Sequence, residues 1–216
     1  ADDFSSAAAI ATRLAQVRDE TAQLAPGEVN AEKRGLLQEL EVALVQHREA
    51  LNYRARVRSE LTAVDNSLSG WKGLSRQPPY SMQFADGLRA EYDVLERQFR
   101  ASSSRLGLIG AALEDANTRL VARENALRRE NESARFAGSQ QAALEAERAG
   151  QLEILRTRIA AENAARLRLR QQAEEVQHTT LETALELAGL KLAAVKGKIV
   201  FARPERDRIE QELDAR

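Results

Sequence analysis

Apolar residues recur along this chain at alternating spacings of three and four, the period of one face of an α-helix. The longest series is Ala85, Leu88, Tyr92, Leu95, Phe99, Ser102, Leu106, Ile109, Leu113, Ala116 and Leu120, continued past Arg123 by Leu127. It predicts a helix over about 82–130 with five to six heptads in phase. A second series, Leu37, Leu40, Leu44, Leu51, Val57, Leu61, Val64 and Leu68, has His47 and Arg54 in its two gaps. It predicts a helix over about 29–68, roughly 60 Å long at ~1.5 Å per residue. Ile10, Leu14, Val17, Thr21 and Leu24 mark a shorter helix within an N-terminal segment, 1–25. A fourth helix is expected over about 139–200. There Leu181, Leu185, Ala188, Leu192, Val195 and Ile199 do not share a phase with Leu169, Ala173 and Val176. That mismatch predicts local unwinding or a bend at His178-Thr179-Thr180.

Breaks between these series coincide with residues that end helices. Proline removes a backbone donor and restricts the residue before it, and Ala25-Pro26-Gly27 separates the first two helices. So short a connection favours antiparallel neighbours. The segment 69–81, with Gly70, Gly73, Pro78 and Pro79, must reverse the chain, and Ser81 is placed to cap the third helix. Asn131-Glu132-Ser133 and Gly138-Ser139 form the next polar break. Pro204 with Ile209 and Leu213 reads as the start of a further helix over 204–216, cut short at its C-terminal end. The expected fold is all-α: elongated antiparallel helical hairpins or a coiled coil over 28–200, thickened by the first helix. Gly107, Gly110, Ala111 and Ala112 expose little side chain, so a second helix is expected to approach there.

Composition supports an extended helical protein. Of 216 residues, 43% are hydrophobic but only 4% aromatic and 30% are charged, too few large rings to fill a thick core. Lys plus Arg number 32 and Asp plus Glu 33, a net charge of −1, so no excess of either sign points to nucleic acid. Without cysteine there is no disulfide, thiolate metal site or thiol nucleophile. No run of 18 apolar residues spans a bilayer. The chain starts at Ala1 and its one methionine is Met82. This reads as a processed or partial chain, Ala1-Asp2-Asp3 fitting the product of a signal peptidase.

The candidate chemistry is sparse. Glutamates alternate with arginines at surface spacings, and no phosphate loop, zinc-protease helix or nucleophile elbow is present, so no catalytic residue, metal ligand or cofactor is expected. His47 and His178 read as one partly buried and one surface histidine, too few for a metal site. Arg156, Arg158, Arg166, Arg168 and Arg170 read as a solvated basic face. The most specific feature is the loop holding Trp71, Leu74, Pro78, Pro79 and Tyr80, where a chain poor in aromatics places its one tryptophan beside Pro-Pro-Tyr. It is either a cap on the hairpin or an interaction loop, since exposed aromatics mark interfaces.

Read as Trp71-x6-Pro78-Pro79-Tyr80-Ser81-x4-Asp86-x-Leu88-Arg89-x3-Asp93, this loop and the helix after it resemble the periplasmic N-terminal extension of large bacterial mechanosensitive channels of the small-conductance superfamily. Phe201-x2-Pro204-x2-Asp207-x5-Leu213 is similar to the next repeat of such an extension. The resemblance implies a non-enzymatic periplasmic segment of an inner-membrane ion channel, joined to the membrane through a part C-terminal to this chain. It implies other subunits of the same channel as partners, in a heptamer, and a role in subunit arrangement, gating or envelope coupling during osmotic stress. The alternative is a periplasmic scaffold or adaptor hairpin, such as an export-system adaptor or a wall-hydrolase activator.

Overall fold

The computed structural model describes residues 6–25, 27 and 30–200. The start at Ala1-Asp2-Asp3, Pro26 and the expected helix over 204–216 lie outside the described residues. The elements are α1 (Ala7–Gln23), α2 (Ala31–Ser69), β1 (Tyr80–Ser81), α3 (Met82–Arg135), α4 (Gln140–Val195) and β2 (Ile199–Val200). The fold is all-α and built from helical hairpins. Two compact units divide it, Ala1–Arg56 with Arg105–Glu174, and Val57–Ser104 with Glu175–Arg216. The three long helices each contribute to both.

In the first unit the Ser6 side chain accepts the Ala9 N–H at 3.1 Å and starts α1. Ile10, Leu14 and Val17 then bury against Leu37, Leu40, Leu44 and Leu51 of α2 and Leu155 and Leu169 of α4. Ion pairs fix the directions. Arg18–Glu41 at 2.6 Å and Lys33–Glu20 at 3.0 Å run α1 antiparallel to α2, as the short connection predicts. Arg123–Glu153 and Arg105–Glu174 run α3 antiparallel to α4. Glu32–Arg156, Gln46–Arg166 and Tyr53–Glu174 climb together, so α2 lies beside α4 and parallel to it.

Helix α4 therefore touches α1, α2 and α3, and a helix with neighbours on several sides has no single apolar stripe. It buries carboxylates instead. Glu162 accepts from Arg13 of α1 and faces the His47 Nδ1 of α2 at 2.6 Å. Glu153 accepts from Arg123 of α3 at 3.3 Å and from Arg156 at 3.0 Å. Glu174 accepts from the Tyr53 hydroxyl at 3.1 Å and the Arg105 Nε at 3.2 Å. All three glutamates are buried, as is His47, and a buried charge is tolerable only when so paired.

In the second unit Tyr80, Ala85, Leu88 and Val195 form the core, with Leu74, Phe84, Leu192 and Ile199 packed against it. Lys191–Glu91 at 2.7 Å and the stacking of Phe99 on His178, ring centroids 4.3 Å apart, run α3 and α4 antiparallel here too. His178 is half-buried, its Nδ1 3.3 Å from the Oγ of fully buried Ser102, and is not the surface histidine the sequence suggests.

Other expectations are corrected. Helix α4 passes through His178-Thr179-Thr180 without a break. The Thr179 and Thr180 hydroxyls donate back to the Glu175 and Val176 carbonyls at 3.2 and 2.8 Å. The expected unwinding is absent: the backbone stays helical through the phase change. Likewise α3 continues through Asn131-Glu132-Ser133, whose side chains are exposed and need no apolar partner. The next helix starts where Ser139 caps it by accepting the Ala142 N–H at 3.2 Å. The C-terminal end of α4 is Val195 and not 200. Gly197 takes a left-handed φ of 75° that side chains resist. After it, the β-branched pair Ile199–Val200 lies parallel to Tyr80–Ser81. At Gly107 and Gly110 an added Cβ would meet nothing within 4 Å, so among the described residues no helix approaches closely there.

Truncating the carboxylate shared in the Arg13–Glu162–His47 triad should expose its cost. Glu162→Ala leaves Arg13 and His47 in the interior without their carboxylate and is expected to lower unfolding free energy by about 3 kcal/mol in urea titrations. Glu114→Ala, at an exposed position of α3, should stay within about 0.5 kcal/mol of the parent. Equal effects would remove the triad from the stability account.

Candidate functional site

The loop between α2 and α3 is assembled from both of its ends. Helix α2 finishes with the Gly70 N–H on the Asn66 carbonyl at 2.9 Å and the Trp71 N–H on the Leu68 carbonyl at 3.0 Å. Gly73 follows at a φ of 106°, a conformation open to glycine and strained for other residues. At the far end Tyr80 donates its N–H to the Lys198 carbonyl at 2.9 Å and its hydroxyl to the Arg76 carbonyl at 3.1 Å. Its ring stacks on Phe84 with centroids 5.7 Å apart. The Arg76 guanidinium lies 6.0 Å from the centroid of the Phe84 ring, within cation–π reach. Ser81 caps α3 by accepting the Phe84 N–H at 3.3 Å, as its position in the sequence predicts.

The five residues singled out from sequence have different surroundings. Tyr80 is buried and Leu74 packs against its cluster. Trp71 is half-buried, while Pro78 and Pro79, joined by a cis peptide, are exposed. The inner side of the loop is thus a cap, and its outer side presents a Pro-Pro edge to whatever lies beyond it. Phe84, Arg76 and β2 support the loop and escaped the sequence reading. Phe84 was legible as an aromatic only four positions from Tyr80, whereas the strand pairing joins residues more than a hundred positions apart.

The first unit holds the titratable groups. Burial, then the negative charge of Glu174 and the hydrogen bond to it, push the Tyr53 phenol up from its ordinary value against the opposing pull of Arg105 and Arg56. Burial, then the charge of Arg170, pull the Arg166 guanidinium down. The expected solvated basic face is only partly solvated. Arg168 and Arg170 are exposed, but Arg156, Arg158 and Arg166 are half-buried because α4 is covered on several sides. Arg156 bridges Glu153 and Glu32, and Arg166 reaches the Gln46 side-chain oxygen at 2.5 Å. Among the described residues no three His, Asp or Glu side chains gather to hold a metal ion, and no helix is long and apolar enough to cross a membrane. Comparison of the chain with protein-family models, curated proteins and solved structures returned no match.

Two measurements separate these roles. Tyr80→Ala should lower unfolding free energy by about 3 kcal/mol or more through loss of a buried aromatic, whereas Gln77→Ala, at an exposed loop position, should change it by less than about 0.5 kcal/mol. Similar losses in the two variants would show that the loop is not anchored through Tyr80. For Tyr53, the folded pKa lies above its ordinary 10.0, so the folded chain holds the phenolic proton more tightly than the unfolded one. The resulting stability is full below that value and declines as pH rises through it. The stability advantage of the parent over Tyr53→Phe should therefore shrink between about pH 9 and about pH 11, and an advantage constant across that range would contradict the assignment.

Proposed function

We propose that this chain is a non-enzymatic periplasmic extension of a large mechanosensitive channel of the small-conductance superfamily, arranging subunits and modulating gating under osmotic stress. The observation that carries the reading is that the second half of the resemblance motif falls on one junction, where the loop meets β1 and α3. Tyr80 and Leu88 enter the core of the second unit, and Ser81 caps α3. Asp86 and Arg89 pair at 3.0 Å one helical turn apart. A motif arising from coiled-coil composition alone would have no reason to place its residues in a cap, a core and a turn at the same junction.

In this reading the helices act as stiff spacers and the outer edge of the loop, Trp71, Pro78 and Pro79, meets a neighbouring subunit. Half-buried tryptophan beside rigid proline offers apolar contact at little entropic cost. The internal ion pairs hold register within each protomer. The inner membrane is reached through the remainder of the channel, and neither nucleic acid nor cofactor takes part.

Deleting this segment from the full-length protein, and separately replacing Trp71 with Ser, should shift the membrane tension at which channels open in excised patches and lower survival of hypo-osmotic shock. Unchanged gating tension and survival in the deletion would overturn the proposal. A native gene encoding no group of transmembrane helices would also overturn it and favour an envelope scaffold.

A further inference from the structure

A cavity of about 420 Å³ opens where the start of α1 meets α2 and α4 in the first unit. Its polar lining is Ser6, His47, Arg54, Arg168 and Gln172, beside Ala165 and Leu169. His47 and Arg54 are two helical turns apart, as are Ala165 and Gln172, so α2 and α4 each give the cavity one continuous face. Burial grades its depth: His47 is buried, Arg54 and Gln172 are half-buried, and Ser6 and Arg168 are exposed.

No residue in this wall is acidic. In a chain with 33 carboxylates that sets the cavity apart, since Glu39 and Asp115 line the groove along α3, and Glu49 and Glu174 line the cavity that holds Tyr53. Glu162 holds the His47 Nδ1 at 2.6 Å from outside the wall, and Arg13 offsets its charge. Two guanidinium groups that share a wall without a carboxylate repel one another, and an oxyanion between them replaces that repulsion with attraction.

The hydrogen-bond donors converge from three helices. Arg54 Nη1 donates to the Gln172 Oε1 at 2.9 Å, within the cavity wall, which fixes both side chains and leaves the Gln172 amide nitrogen to donate. Arg168 makes no hydrogen bond or ion pair among the described residues. The Ser6 Oγ accepts the Ala9 N–H, so its hydroxyl hydrogen is left over, and Ser6 stands at the positive end of the α1 dipole. A planar carboxylate is satisfied by a single guanidinium fork, whereas the three terminal oxygens of a phosphate monoester accept from several directions at once. The volume lies inside the ~300–1,000 Å³ typical of small-molecule sites, with room for a small body behind the phosphate.

We propose that this cavity binds a phosphate monoester, its phosphate held by Arg54, Arg168, Gln172 and Ser6. The proposal is independent of the channel reading.

The test is calorimetric titration of the whole chain with glycerol 3-phosphate, with acetate as a planar carboxylate and glycerol as the same body without the charge. One glycerol 3-phosphate should bind per chain, at least tenfold more tightly than acetate, and glycerol should not bind. Arg168→Gln should weaken glycerol 3-phosphate at least tenfold. Arg170→Gln, at an exposed position two residues along α4 that lines a different cavity, should stay within twofold of the parent. Equal losses in these two variants would reduce the effect to general surface charge and overturn the proposal. So would acetate binding as tightly as the phosphate, or no binding by the parent. Ala165→Asp puts a carboxylate into the wall and should abolish binding, and undiminished binding to that variant, folded by circular dichroism, overturns the proposal. Should it not fold, the two exposed arginine variants decide alone. Phosphatidylcholine vesicles containing phosphatidic acid that displace glycerol 3-phosphate would identify a membrane lipid as the source of the phosphate. Failure to displace it would identify a soluble phosphate monoester.

Discussion

Three buried carboxylates along one helix hold the first unit together. Glu153, Glu162 and Glu174 of α4 each recruit cations or hydroxyls from a different set of neighbours: α3 for the first, α1 and α2 for the second, α2 and α3 for the third. Apolar contact is non-directional and tolerates sliding, so long helices rich in alanine and leucine have many nearly equivalent registers. A buried carboxylate does not tolerate sliding. Moving α2 by one turn along α4 would take His47 from Glu162 and Tyr53 from Glu174 together, leaving two desolvated charges short of partners. The net energy of each pair is modest once desolvation is subtracted, but the penalty for mispairing is several kcal/mol, so these groups select a register more than they add stability.

The second unit solves the same problem with shape. Its core is small, and the ring pairs Tyr80–Phe84 and Phe99–His178 take the place of buried ion pairs. The parallel pairing of Tyr80–Ser81 with Ile199–Val200 ties the entry of α3 to the chain beyond α4 through backbone bonds, which fix position without needing a wide apolar face. Ser102, fully buried on the α3 stripe opposite His178, serves the same end: a small hydroxyl admits the imidazole where leucine would exclude it.

Much of this was legible in sequence because it is local. Every member of the α3 series from Ala85 to Leu127 is buried or half-buried, and the α2 series from Leu37 to Leu68 likewise, including His47 and Arg54 in its gaps. The Ser81 cap was legible too, being set by residues three apart. Less legible was anything decided by which helix faces which. The parallel neighbours α2 and α4 are joined by Tyr53–Glu174 and Gln46–Arg166, separated by 121 and 120 residues, and no periodicity reports such a pair. The phase change in α4 was visible, and the unwinding read from it is not present. A hydrophobic pattern registers a shift of phase in the same way whether or not the backbone unwinds. The candidate loop divided along the same line: its turn residues and cap could be read directly, while the burial of Tyr80 depends on Lys198 and Ile199.

The near-zero net charge hides this organisation. With 32 basic and 33 acidic residues, a charge count suggests a uniformly solvated surface, yet a subset of those charges lies inside, sorted into complementary sets. In such an interior an arginine facing another helix ordinarily meets a carboxylate, as Arg13, Arg105, Arg123 and Arg156 do.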